Sequence, residues 1–222
     1  MHQIIKNLKL VKYQINQKIK DSQAKIKEPT IVVVSKTFTL DKINPLIEHG
    51  HIHFGENKVQ EAEKKWDRSL VHKKNLKLHM VGKLQSNKAT KAVEIFDYIH
   101  SLDNLKLAKV LSLAERKFQK NLKYFIQINL GNEIQKSGVN QHQLGSFIET
   151  LRNDFQLNII GLMCLPPQNE KTTIYFKILN ELRQKFKLNE LSMGMSADYL
   201  SALEFGASFL RLGTSILGKR II

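Results

Sequence analysis

Eight short apolar segments alternate with stretches of helical periodicity along this chain of 222 residues, and no other feature constrains its fold as strongly. The segments have the length and composition of buried strands. They are residues 31–35, 52–55, 78–82, 98–101, 124–129, 159–165, 190–193 and 209–212. Continuous apolar strands separated by helices are typical of a parallel sheet that is covered on both faces. Eight such units predict an α/β fold, a closed (β/α)₈ barrel.

The first apolar pattern precedes these units and predicts an amphipathic helix over residues 2–27. No Gly/Ser-rich linker or shift in composition divides the chain. We therefore expect one barrel domain over residues 1–222, with residues 1–28 as an N-terminal helix packed on the barrel. An open doubly wound sheet is the alternative, but no Gly-x-Gly-x-x-Gly sequence follows the first strand.

The net charge of +15 at first suggests a nucleic-acid partner, but 29 of the 35 basic residues are lysines and they are scattered along the chain. Surfaces that bind phosphate backbones or bases usually enlist arginine, whose planar guanidinium binds bidentately. The charge therefore favours attraction for small anionic ligands over nucleic acid.

The apolar segments are far shorter than the roughly 20 residues that span a bilayer, and lysines interrupt the N-terminal pattern, unlike a signal peptide. The single cysteine, Cys164, excludes an intramolecular disulfide and is expected to be a small core residue. Together these features predict a cytoplasmic protein with no membrane partner.

Lys36 ends the first apolar segment, where a barrel carries its chemistry. Strand alternation places Val32, Val34 and Lys36 on one face. If that face is the barrel interior, burial disfavours an ammonium ion, and the neutral amine is a nucleophile for a Schiff base. The alternative is a lysine that leaves the strand to meet solvent.

Barrels often bind phosphate at the loops after strands seven and eight. Ser196 is placed as the N-cap of the helix after strand seven, which would supply amide donors. Gly213 and Thr214 follow strand eight, where they offer close backbone approach and a hydroxyl. Arg211 lies within that apolar strand and needs an acceptor, either inside the protein or on a ligand.

Taken together, these segments resemble the YggS/PROSC family of pyridoxal 5′-phosphate (PLP) homeostasis proteins. The matching segments occur in the family's order and run from residue 34 to residue 214. They are Val34-Ser-Lys36-Thr, Phe54-Gly-Glu-Asn57, Val59-Gln-Glu61, His79-x-Val-Gly82, Leu84-Gln-Ser-Asn-Lys88, His100-Ser-x-Asp103, Gln127-Ile-Asn129, Lys136-Ser-Gly138, Gly161-Leu-Met163, Leu191-Ser-Met-Gly-Met-Ser196 and Arg211-Leu-Gly-Thr214.

The resemblance implies a barrel of the alanine racemase N-terminal-domain type that binds PLP. Lys36 would carry the Schiff base, Arg211 would donate to the pyridine nitrogen and Asn57 would be a further polar contact. The phosphate would be held by Ser196, Gly213 and Thr214.

Some positions depart from the family pattern. Phe38 stands where many members have a second lysine, which puts shuttling of PLP between adjacent lysines in doubt. Lys83 replaces a usual proline and Lys58 a usual tyrosine. Lys136 is either a secondary PLP-interacting lysine or a solvated loop residue.

We expect a non-catalytic PLP carrier, a monomer that hands the cofactor to PLP-dependent apo-enzymes. An arginine at the ring nitrogen only donates, which weakens the electron sink that most PLP enzymes need. Racemisation also needs a second base, which racemases take from an additional domain. The eight β/α units account for almost all of this chain, so we expect no such domain here. The alternatives are a low-activity amino-acid racemase or related PLP enzyme, a cofactor-free aldolase that uses the barrel lysine, and a nucleic-acid binder.

Other polar residues point to no further site. His51 and His53 would face one side of a strand, but no third ligand completes a metal site, so we expect none. Glu56 and Glu61 flank Asn57, and sequence alone assigns them no acid–base role.

Overall fold

The computed structural model describes residues 2–22, 26–131, 137–167 and 170–219. Lys136, considered above as a secondary cofactor contact, lies outside these residues. Eight parallel strands close into a barrel in sequence order, with the eighth strand hydrogen-bonded to the first. The predicted (β/α)₈ barrel is therefore confirmed.

The strands fall within three residues of the predicted bounds. They are β1 Thr30–Val34, β2 His53–Glu56, β3 Lys77–Met80, β4 Tyr98–Leu102, β5 Lys123–Ile128, β6 Ile159–Cys164, β7 Glu190–Ser192 and β8 Phe209–Leu212. The helices are α1 Gln3–Asp21, α2 Leu40–Glu48, α3 Val59–Lys65, α4 Arg68–Lys73, α5 Ala89–Ile95, α6 Leu105–Phe118, α7 Leu144–Asn153, α8 Thr172–Lys185, α9 Tyr199–Glu204 and α10 Thr214–Leu217, with 3₁₀ turns at Ser86–Lys88 and Gln141–Gln143.

Helix α1 packs on the barrel through α9 and α10, as expected of an N-terminal helix. Its buried face is the apolar stripe of the sequence, Ile4, Leu8, Val11 and Ile15. The predicted end at residues 27–28 was wrong: the helix ends at Asp21, because Ser22 adopts an extended conformation with ψ of 132°. Within the described ranges, no helix is long and apolar enough to cross a bilayer.

Apolar side chains fill two layers, one between strands and helices and one inside the barrel. The inner layer contains Val32, Tyr98, Phe125, Met163 and Phe209. Buried polar side chains lie among these groups, and they include three histidines, His51, His79 and His100. The barrel interior is therefore mostly apolar, and its buried polar side chains need hydrogen bonds within the protein because they are removed from water.

Close approach of β6 and β7 requires Gly161. A Cβ atom at this position would lie 2.0 Å from the backbone oxygen of Glu190 on β7. Because that atom is backbone, the strands would have to move apart to accept any side chain. Gly145 in helix α7 offers a contrast, since a Cβ atom there would meet the Phe186 ring at an ordinary 3.4 Å.

We expect Gly161→Ala to lower the free energy of unfolding by about 1–3 kcal/mol, a typical cost of forcing an extra methyl group into a packed site. Gly145→Ala is the matched control and should be neutral or stabilising by up to about 1 kcal/mol, because alanine favours a helix. Urea titrations followed by circular dichroism measure both. Equal destabilisation by the two substitutions would contradict this account of Gly161.

The buried side chain of His51 makes the free energy of unfolding depend on pH. Its Nε2 lies 2.9 Å from the backbone oxygen of His53, and burial lowers its pKa to about 4. An unfolded histidine takes up a proton near pH 6.5, about 2.5 units above the folded group. Between these values the unfolded chain binds more protons, so the free energy of unfolding falls as the pH falls. His79 and His100, whose pKa values burial also lowers, act in the same direction.

Replacing His51 by glutamine keeps an N–H donor and removes the titration. We expect His51→Gln to reduce the slope of unfolding free energy against pH between about pH 6.5 and pH 4 by up to about 1.4 kcal/mol per pH unit. His49→Gln is the control, because His49 is exposed. Denaturant titrations across this range test the prediction, and an unchanged slope in His51→Gln would refute it.

Candidate functional site

A cavity of about 690 Å³ opens at the carboxyl ends of the strands, where the barrel rule places chemistry. The loops after β1, β2, β3, β5, β6, β7 and β8 contribute to its wall. All six residues singled out from the sequence line it: Lys36, Asn57, Ser196, Arg211, Gly213 and Thr214. The fold therefore brings together residues that lie as far apart in the chain as positions 36 and 214.

Lys36 lies two residues beyond the end of β1 and is half-buried in the cavity wall. Val32 packs inside the barrel and Val34 lines the cavity, so the predicted alternation along this strand is confirmed. The next residue, Thr37, has φ of +69°, in the left-handed region that non-glycine residues rarely adopt. The lysine therefore projects from a tight turn rather than from a continuing strand.

The buried ammonium group of Lys65 binds the turn that carries Lys36. The Lys65 Nζ, on a side chain that is 7% exposed, donates to the Ser35 backbone oxygen at 2.8 Å and to Glu56 Oε1 at 2.9 Å. Ser35 Oγ donates to the same carboxylate oxygen at 2.7 Å. Burial raises the pKa of Glu56, and the adjacent Lys65 opposes that rise. The residue before Lys36 is thus fixed through both its backbone and its side chain.

Glu61 fixes the residue after Lys36. Its carboxylate accepts a hydrogen bond from the Thr37 backbone N–H and lies 3.1 Å from Lys65 Nζ. We call Glu56, Glu61 and Lys65 the turn clamp. The sequence marked both glutamates without assigning them a role, and it gave no signal for Lys65, because the contacts depend on the packing of α3 against β2.

Arg211 lies on β8 at the floor of the cavity and is 4% exposed. Its guanidinium donates to Ser192 Oγ at 2.6 Å and to the Cys164 backbone oxygen at 2.8 Å. Desolvation lowers its pKa, and no carboxylate among the described residues lies within 4.0 Å of it. The sequence left open whether Arg211 finds its acceptor inside the protein or on a ligand. The structure supplies acceptors inside the protein, and Arg211 also borders the cavity.

The prediction that Ser196 is an N-cap of the following helix was wrong. Helix α9 begins only at Tyr199, with Asp198 as its N-cap. The reason is a turn in which Asp198 Oδ1 accepts from the Met195 amide at 2.6 Å, which delays the helix.

Ser196 instead contacts the start of helix α10. Its Oγ accepts from the backbone N–H groups of Gly213 at 3.3 Å and Ser215 at 3.2 Å, and it donates to Ser215 Oγ at 3.1 Å. Two backbone amides and two hydroxyls therefore converge beside the cavity. Ser215 was not predicted from the sequence, although it directly follows the Gly213-Thr214 pair.

Asn57 reaches the cavity because Gly82 allows its loop to come close. A Cβ atom at Gly82 would lie 2.4 Å from the Asn57 backbone oxygen. On the opposite side, Gln127 Nε2 donates to the Ser137 backbone oxygen at 2.9 Å and holds the chain after β5 against the cavity. Phe38 and Lys83, the two departures from the family pattern that border this space, both line the cavity.

The remaining candidates form no site of their own. His51 contacts the backbone of His53, whereas the His53 ring contacts His79 at 3.0 Å between Nδ1 and Nε2. In the parts of the chain that are described, no three His, Cys, Asp or Glu side chains group in a way that could hold a metal ion. Cys164 is buried, and burial raises the pKa of its thiol to about 12.

Comparisons with known proteins agree with this geometry. The family described as alanine racemase, N-terminal domain, matches residues 12–220. The pyridoxal phosphate homeostasis protein of Pasteurella multocida is 32% identical over 221 residues, which cover 93% of this chain and 95% of that protein.

Solved structures give the same result. PipY of Synechococcus elongatus with PLP bound is 33% identical with a TM-score of 0.83, and the match covers 97% of this chain and 100% of that one. Alanine racemase of Clostridium difficile shares the fold alone, at 10% identity and a TM-score of 0.71 over 99% of this chain and 57% of the racemase. The chain belongs to the family of pyridoxal phosphate homeostasis proteins, built on the barrel of the alanine racemase N-terminal domain.

Proposed function

We propose that this chain binds PLP reversibly as a Schiff base on Lys36 and serves in PLP homeostasis without strong catalysis. The observation that carries the proposal is the convergence of an amine, a guanidinium and a cluster of amide and hydroxyl donors in one cavity of about 690 Å³. This donor set fits an aldehyde, a pyridine nitrogen and a phosphate. The PLP-bound structure of PipY and the name of the Pasteurella relative support the same ligand.

The bound cofactor supplies an aldehyde carbon, with which the Lys36 amine condenses with loss of one water molecule. The turn clamp holds this amine in place by fixing the residues on either side of it. The cavity also brings the lysine close to the phosphate donors, because β1 pairs with β8 and a Cβ atom at Gly213 would lie 3.5 Å from the Val34 backbone oxygen.

The phosphate would be bound by the backbone amides of Gly213 and Ser215 and by the hydroxyls of Ser196 and Thr214. In the structure both amides donate to Ser196 Oγ, so a bound phosphate would take their hydrogen bonds from this hydroxyl. The net charge of +15 attracts an anionic ligand to this surface. Asn57 supplies a further polar contact from the loop after β2.

Arg211 would donate to the pyridine nitrogen. Because a guanidinium has donors only, it keeps this nitrogen unprotonated and the ring a weak electron sink. This favours a carrier over an enzyme that makes carbanions. The proposal extends to a monomeric cytoplasmic protein that delivers PLP to apo-enzymes, in which Lys36, and not the other lining lysine Lys83, captures the aldehyde.

Borohydride reduction of the PLP-loaded protein should fix the cofactor on Lys36. We expect Lys36→Ala to lose this reduced adduct, whereas Lys83→Ala, which removes another lysine of the same cavity, should retain it. Peptide mapping by mass spectrometry identifies the modified residue. The adduct on Lys83 in the unaltered protein, or its persistence in Lys36→Ala, would exclude the proposed Schiff base.

The same protein distinguishes a carrier from an enzyme. A carrier releases PLP to an added apo-enzyme and turns over no amino acid. Sustained racemisation of a defined amino acid by the loaded protein, lost in Lys36→Ala, would contradict the carrier and favour a low-activity racemase.

The turn clamp predicts an effect on affinity from outside the cavity. We expect Glu61→Ala to weaken PLP binding about tenfold, because it removes the charged acceptor of the Thr37 amide and loosens the turn that carries Lys36. Glu63→Ala is the control, since Glu63 lies on the same helix and pairs with Lys91 at 2.9 Å on the surface. Titration by absorbance gives both affinities, and equal weakening in the two variants would rule out a specific role for Glu61.

A further inference from the structure

Five polar side chains form a continuous row across the barrel interior, from Arg211 at the cavity floor to the opposite end of the barrel. Ser192 Oγ lies 2.7 Å from His100 Nδ1, His100 Nε2 lies 2.9 Å from His79 Nδ1, and His79 Nε2 lies 3.0 Å from His53 Nδ1. We call His53, His79 and His100 the histidine row. Neither the cavity contacts nor the proposed function uses it.

The chemistry of the groups sets the direction of these hydrogen bonds. Arginine only donates, so Ser192 Oγ accepts from Arg211 and must give its own proton to another group. The second partner of this hydroxyl is His100 Nδ1. His100 therefore accepts at Nδ1, carries its proton on Nε2 and donates to His79. The same reasoning places the His79 proton on Nε2, facing His53.

Burial and packing favour this arrangement. His79 and His100 are both fully buried, which lowers their pKa values far below the ordinary range and keeps them neutral, as the direction requires. His79 stacks on Tyr98 with ring centroids 4.2 Å apart, and His100 stacks on Phe125 at 4.4 Å. The rings are thus held in place on their faces as well as through their nitrogens.

We propose that Ser192 and His100, backed by His79, are positioning residues that orient the Arg211 guanidinium toward the ring nitrogen of a bound pyridine cofactor. This inference rests on the proposed function. Ser192 fixes Nη1 and the Cys164 backbone oxygen fixes Nη2, so the plane of the guanidinium has no freedom to turn. His100 accepts the hydrogen bond that the Ser192 hydroxyl donates, and the hydroxyl oxygen is thereby left facing Arg211 as an acceptor.

The test compares two probes, PLP and its 1-deaza analogue, in which a C–H group replaces the ring nitrogen. We expect Ser192→Ala and His100→Leu to lower the ratio of PLP affinity to analogue affinity about tenfold, the value of a hydrogen bond with a charged partner. His100→Asn should restore the ratio, because its side-chain oxygen replaces Nδ1 as the acceptor. Ser112→Ala is the control, since Ser112 is a buried serine that bonds to the Phe155 backbone 2.7 Å away, outside the cavity.

The outcomes separate this inference from the function on which it rests. If the unaltered protein binds neither probe, the proposed function fails. If it binds PLP but Ser192→Ala and His100→Leu weaken both probes equally, the positioning role is overturned, because a structural defect would not distinguish the ring nitrogen.

A second measurement needs no cofactor. In protein labelled with ¹⁵N at histidine, long-range proton–nitrogen spectra report which ring nitrogen carries the proton. We expect His79 and His100 to be neutral and protonated on Nε2, and Ser192→Ala to shift the His100 resonances most. Protonation of either ring on Nδ1 would overturn the assigned direction and the inference with it.

Discussion

The pairing of β1 with β8 is the contact on which the rest of the molecule depends. It closes the barrel in a register that sets Val32 beside Arg211 and Val33 beside Leu212. The pairing joins the two ends of a long chain, so it is entropically expensive and must be supported by packing. Helix α1 adds such support, because it packs on α9 and α10 next to β8. Without this closure, Lys36 and the donors of the last two loops would not share a cavity.

Closing the barrel removes polar side chains from water, and hydrogen bonds inside the protein must offset this loss of hydration. A buried guanidinium and two fully buried histidines would be strongly unfavourable in an apolar interior without partners. Ser192 and the Cys164 backbone oxygen accept from Arg211, and the histidines hydrogen-bond to one another. Each member of the row therefore depends on the next. Replacing one member leaves its neighbour unsatisfied, so the consequence is larger than the loss of one hydrogen bond.

The sequence was sufficient to predict the features that a local pattern of residues determines. It did not reveal the contacts that depend on how the strands and loops pack together. The eight strands followed from apolar segments, and the sequence spacing of Lys36 from Val32 and Val34 correctly placed it at the cavity, although a turn and not the strand carries it. Ser196 was predicted to be near the cavity for a wrong reason, since the Asp198 turn delays the helix that it was expected to cap. The histidine row joins side chains from different units, and the three residues of the turn clamp, although they belong to one unit, act on the turn after β1, so sequence spacing did not reveal these contacts.

The cavity is rigid on its floor and more open at its mouth. Arg211 and the residues beside Lys36 are held by buried hydrogen bonds, whereas Lys83, Leu165 and Met195 line the cavity while exposed to solvent. A rigid floor reduces the entropy lost when a ligand is oriented, and an exposed rim lets it leave without unfolding of the barrel. This division between floor and rim suits capture and release, as the carrier proposal requires.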